Sequence, residues 1–240
     1  MLGSGGPSAD VPVIAEATRQ LRAPWAASVA GLLFAVLFTA GLVLMRSQAM
    51  FVADDAELAR LFAAGEDLPA LIGGLYLAPF AGIMFLWFIA VIRDQLGERE
   101  DRFFATVFFG SGLLFVALLF VAAAVESAAI VGVRYLGQAP PTAALVAVLR
   151  ALSYALLFAF GTRAAAVFLV SAATIGVRSG VFPRWFAATG YFVAAVLFVV
   201  VTFWDWMILM LPIWVAIVSL FLIGRELPRR RASATGQPAR

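Results

Sequence analysis

Apolar runs of roughly 20 residues, the length of a bilayer crossing, recur six times along this chain, each bounded by a short polar break. They predict helices across the membrane at 25–45, 71–92, 103–125, 151–177, 185–203 and 207–224. The sharpest break lies between 77 and 110, where LAPFAGIMFLWFIAV gives way to IRDQLGEREDR and then to FFATVFFG. Eleven residues with three arginines and four acids cannot stay in hydrocarbon, so the chain leaves the apolar medium there and re-enters it as a hairpin.

Small residues add a packing pattern to this outline. Gly74, Ala78 and Gly82 recur every four residues and make one helix face narrow enough for a neighbouring backbone to approach. Pro79 predicts a kink in the same span, and Gly110, beside Ser111 and Gly112, is expected to pack in the third. Between 46 and 70, Asp54, Asp55, Glu57, Glu66 and Asp67 outnumber Arg46 and Arg60, while Phe51, Leu58, Leu61 and Phe62 recur near helical spacing. A short helix at the lipid surface is expected there, its acids a solvated face, because the segment lacks the ordered ligand positions of a calcium loop.

Gln138, Pro140 and Pro141 end the third helix and Thr142 caps the next. Unbroken to 177, that helix would be about 54 Å long, more than a simple crossing needs. RSGVFPR at 178–184 makes a short return, and FWDWM at 203–207 sets Asp205 between two tryptophans at a bilayer surface. Residues 1–24 read as a flexible segment with a weakly amphipathic stretch at 13–22, 25–224 as the membrane domain, and 225–240 as a basic tail with a disordered end. The first span follows Arg19 and Arg22, but it exceeds the roughly 7–15 apolar residues of a signal peptide and no cleavage pattern follows it, so a retained anchor is expected.

Composition agrees with the pattern and narrows the chemistry. With 64% hydrophobic and 13% charged residues, the chain lies far outside the globular range. All 17 basic residues are arginine. Across six spans, twelve of them fall on the side of the termini (Arg19, Arg22, Arg93, Arg99, Arg102, Arg178, Arg184 and five in the tail) and four (Arg46, Arg60, Arg134, Arg150) on the other. That asymmetry puts both termini in the cytoplasm. The arginines are scattered among the spans rather than gathered on a basic face, so anionic lipid and not nucleic acid is the expected counter-charge. With no cysteine and no histidine, disulfides, thiolate or histidine metal sites, haem ligation and Ser-His relays are excluded. No cofactor, metal or catalytic residue is expected, and the chain is not read as an enzyme.

Arg163 is the one formal charge well inside a predicted span, where an arginine costs at least ~2.5 kcal/mol on insertion scales. It lies about 21 Å from the inner end of span four. Asp205, about 30 Å above the inner end of its own span, is the nearer partner, and Glu126, about 34 Å up, the second. The first reading is a salt bridge fixing how spans three to six dock. The second is the cation of an outward-facing polar pocket, with Tyr154 placed on the opposite face of the same helix.

LAPFAGIMFLWFIAVIRDQLGEREDRFFATVFFGSGLLF, and LPIWVAIVSLFLIG before a basic tail, resemble the matching segments of uncharacterised multi-pass membrane proteins from actinobacteria. The resemblance covers about half the chain and implies a six-helix topology, the arginine-only basicity and a bacterial plasma-membrane location; it carries no activity and no binding residue. The expected protein is therefore an all-α polytopic bundle. Its role is structural or accessory, through helix packing and contacts with lipid, a second copy or another membrane protein. The alternative is a small-solute or ion transporter with a pocket around Arg163, although the two halves show no convincing repeat.

Overall fold

The computed structural model describes residues 25–46, 54–96, 102–200 and 205–234, with side chains at 28–46, 54–93, 103–200 and 206–224. All of the regular structure among them is helical. In chain order the α-helices are α1 (Trp25–Arg46), α2 (Asp55–Ala64), α3 (Leu68–Ile72), α4 (Ala78–Leu96), α5 (Arg102–Leu136), α6 (Ala143–Tyr154), α7 (Thr162–Arg178), α8 (Arg184–Val199) and α9 (Met210–Ala234). A π-helical stretch, Gly73–Leu77, joins α3 to α4, and another, Ala155–Gly161, joins α6 to α7. Five of the resulting rods are long and apolar enough to cross a membrane: Ser28–Arg46, Leu68–Arg93, Phe103–Leu136, Ala143–Arg178 and Trp206–Gly224. Among the described residues of the sixth expected crossing, 185–203, the 16-residue α8 is helical, about 24 Å of a hydrocarbon layer about 30 Å thick.

Residue chemistry accounts for these boundaries. Thr142 accepts the Leu145 N–H (3.3 Å) as an N-cap, and Gly137, at φ 65°, ends α5 where the Gln138 N–H turns back to the Gly132 carbonyl (3.0 Å). Pro79 cannot donate to the carbonyl of Leu75, which lies within the π-helical stretch, so the widened turn takes up the clash that a proline ring makes four residues back. The rod from Ala143 to Arg178 is continuous. The last helix runs on past the expected 207–224 span, through the basic segment to Ala234. The short helix expected in 46–70 forms at Asp55–Ala64, with Leu58 and Phe62 buried against the protein.

The small-residue face of the second rod packs on α5. Gly74 faces Ser127 and Ala123, Gly82 faces Phe120 and Val116, and Ala78 is buried between them. Gly110 differs from the expectation, since a Cβ there would meet nothing within 4 Å. The core is built from phenylalanine. Phe85 of α4 touches four rings at once, with centroids 4.5 Å from Phe34, 5.5 Å from Phe115, 5.0 Å from Phe168 and 6.3 Å from Phe88. Phe85→Ala should destabilise the bundle by about 2 kcal/mol in a mixed-micelle SDS titration. That is below the roughly 3–5 kcal/mol of water-soluble cores, because separated helices still lie in hydrocarbon and mainly the packing contribution is lost. A loss below about 0.5 kcal/mol would show that the ring cluster closes over the gap.

At one end the long rods α5 and α6 stand above the other helices and carry a cap. Leu58, Phe62, Ala70, Leu71, Ile130 and Val146 form a second, smaller core there. Arg134 clamps it: Nε and Nη2 reach the two carboxylate oxygens of buried Asp67 (Nε–Oδ2 2.9 Å), and Nη2 also donates to the Phe62 carbonyl (2.6 Å). Asp55 Oδ1 accepts the Ala143 N–H at 2.6 Å, tying α2 to the start of α6. Arg60 holds the exposed Glu57 carboxyl below its ordinary range through two hydrogen bonds of 2.6 and 2.8 Å, a contact that solvent screening leaves weak. Asp54, Asp55, Glu57 and Glu66 are exposed, as the expected solvated face requires, and Asp67 alone of the five acids is buried.

Candidate functional site

Polar chemistry inside the bundle gathers where α1 ends, below the cap. Arg46 is the last residue of α1, and its side chain is about nine-tenths buried. Its Nη1 stands 3.7 Å from Glu126 Oε1 on α5, an ion contact too long to be a hydrogen bond. The other carboxylate oxygen of Glu126 accepts the Ser153 hydroxyl at 2.8 Å. The Arg46 guanidinium lies 3.8 Å from the centre of the Tyr154 ring and 5.4 Å from that of Phe158, while Arg150 approaches Tyr154 from 5.7 Å. Tyr154 and Phe158 stack at 5.1 Å, so the cation sits on an aromatic floor with a carboxylate at its side.

Both π-helical stretches border this cluster. Ser153 and Tyr154 immediately precede the second, and the first sets Gly74 against Ser127, the neighbour of Glu126. Widened turns aim side chains in directions that an unbroken α-helix would not. An enclosed void of about 20 Å³ lies beneath, lined in part by Gly41, Met45, Ala78 and Ser153. It has room for about one water. A second void, also about 20 Å³, lies among Phe88, Phe108, Phe182 and Trp214 towards the opposite end. The arrangement around Arg46 can lock three helices together. Among the described residues no group of three acids could hold a metal ion.

Arg163 and Glu126 do not come together as the sequence suggests. Glu126 is engaged by Arg46 and Ser153, at the level where α1 and α5 have both risen the full height of the core. Arg163 instead donates Nη1 to the carbonyls of Ala159 and Phe158, which belong to the π-helical stretch just before it, and lies 3.4 Å from the Thr162 hydroxyl. Asp205 opens the 3₁₀ turn Asp205–Leu209, and its side chain lies outside the described ones. Thr174 of α7 bonds to Tyr191 of α8 at 2.8 Å. Arg46 heads the polar segment that follows the first span in the sequence, yet 21 residues above Trp25 it has risen about 32 Å, almost level with Glu126.

Comparison of the chain with protein-family models, with curated proteins and with solved structures finds no match.

Proposed function

We propose that the protein is a non-catalytic, structural or accessory membrane protein with six crossings and both termini cytoplasmic, which docks a partner through the outer part of α6. The observation that carries this reading is the outer face of α6. Leu145, Val148 and Leu152 form one helical stripe and are 49%, 64% and 48% exposed, with Ala144, Ala147 and Ala151 exposed beside them. Val148 stands 30 residues above Arg178, about 45 Å, so this stripe lies beyond a hydrocarbon layer about 30 Å thick. An apolar stripe in water calls for a covering surface. A ring-filled interior also favours a rigid scaffold over a solute path.

Six crossings are supported by the course of α8. Phe186 at its start stacks on Phe221 (5.3 Å), and Gly190, one turn on, faces Trp214. The helix therefore runs antiparallel to α9 over these contacts. The arginine asymmetry then places the cap outside the cell.

Two experiments test the proposal. Val148→Glu should dissolve the partner contact, seen as a smaller species on native gels of gently solubilised membranes, while leaving the melting temperature of the isolated bundle within about 2 °C, as for a surface change. A large fall in that melting temperature with an unchanged species would mean that the stripe is covered within the fold or by lipid, and would overturn the docking role. Because the chain has no native cysteine, single cysteines at Asp55 and Gln95 report topology cleanly. An impermeant thiol reagent applied outside intact cells should label the first and spare the second.

A further inference from the structure

A lateral groove of about 550 Å³ opens between α5 and the rod of α6 and α7, lined by Val107, Gly110, Leu114, Phe160, Arg163 and Val167 among others. Its only charge is Arg163, and among the described residues no carboxylate bonds or pairs with that guanidinium. The one other polar side chain of the lining, Ser111, donates its hydroxyl to the Val107 carbonyl. We infer that this groove holds one anionic phospholipid, its acyl chain along the apolar wall and its phosphate on Arg163.

Depth and direction fit this occupant. Arg163 lies 15 residues above Arg178, about 22 Å, hence about 8 Å below the cap-side surface of a hydrocarbon layer about 30 Å thick. Its bonds to Ala159 and Phe158 draw the guanidinium towards the start of the helix, which is the cap side. There a long arginine stem reaches the headgroup level. Below it, Gly110 leaves open the space that a side chain would fill, since nothing lies within 4 Å of a Cβ built there. A charged end near the headgroups and an apolar channel running down from it match an anionic amphiphile. A free anion would leave the channel unfilled.

The test uses the full chain: purified in neutral detergent, it is titrated with dioleoyl phosphatidylglycerol or dioleoyl phosphatidylcholine, and bound lipids are counted by native mass spectrometry. The wild type should retain one tightly bound phosphatidylglycerol that phosphatidylcholine displaces only at more than tenfold excess, and that lipid should raise its melting temperature. Arg163→Gln should lose this one lipid while lipids held by the arginines at the other end remain. Gly110→Leu should lose it with Arg163 intact, by filling the groove; this variant decides the matter if Arg163→Gln does not fold. Equal retention by wild type and Gly110→Leu would overturn the inference. So would a melting shift from inorganic phosphate equal to that from phosphatidylglycerol, which would mark a plain anion site.

Discussion

Glu126→Ala should cost the bundle about 3–5 kcal/mol, the range found when one member of a buried ion pair is removed. The mutation takes away the carboxylate that faces Arg46 and accepts from Ser153. What remains is a guanidinium that cannot shed its charge by losing a proton. The converse change, Arg46→Met, should be milder, because the Glu126 carboxylate keeps its hydrogen bond from Ser153. Arg46→Met with Glu126→Leu should be close to neutral, since well-packed apolar groups often replace a buried pair without loss. Unfolding by SDS in mixed micelles measures each of these three variants against the wild type. Arg163→Ala should add to Glu126→Ala within about 0.5 kcal/mol, as independent sites do. Coupling of Glu126 to Arg163 and not to Arg46 would falsify the assignment.

Gly73→Leu should be the most damaging of the glycine substitutions, with a loss above about 3 kcal/mol, at or beyond the usual range for overpacking. A bare Cβ at Gly73 would stand 2.7 Å from the Gly41 carbonyl oxygen, 2.9 Å from Met45 Cγ and 3.2 Å from Leu44 Cβ. The first of these is backbone, which no rotamer change can move. Nor can α1 retreat, because α9 packs on its other side, where Ser219 meets Gly31. Gly110→Leu is the matched control and should leave the melting temperature nearly unchanged, as its Cβ enters open space. If the two variants melt alike, close approach of α1 to the π-helical stretch is not what positions these helices.

The two stripes of small and polar residues illustrate how much could be read in advance. Gly74, Ala78 and Gly82 were legible because helical periodicity is local: residues four apart share a face whatever the face meets. Thr142 as a cap and the break at 138–141 were legible for the same reason. The partner of Arg163 was not, because it depended on the rotation of one helix against another. Glu126 turned to Arg46, 80 positions earlier in the chain, and Asp67 to Arg134, 67 positions later. Gly110 looked like its neighbour Gly112, yet Gly112 meets Ile89 and Phe168 while Gly110 meets nothing. Two positions apart on a helix they point about 200° apart, so one faces the core and the other does not.

By itself the sequence determined the solvent and the elements: apolar runs of bilayer length, their caps and breaks, the small face of the second rod and the chemistry that a chain without histidine or cysteine cannot perform. Those properties follow from transfer energies and backbone sterics, which act within a turn or two. Only the tertiary structure decided that Arg46 and Glu126 pair beside Ser153 and Tyr154, that Asp67 and Asp55 hold a cap over α5 and α6, and that Arg163 lines a groove on the bundle surface. These depend on the height and rotation at which whole helices dock, and the two widened turns at 73–77 and 155–161 reset that rotation partway along a rod.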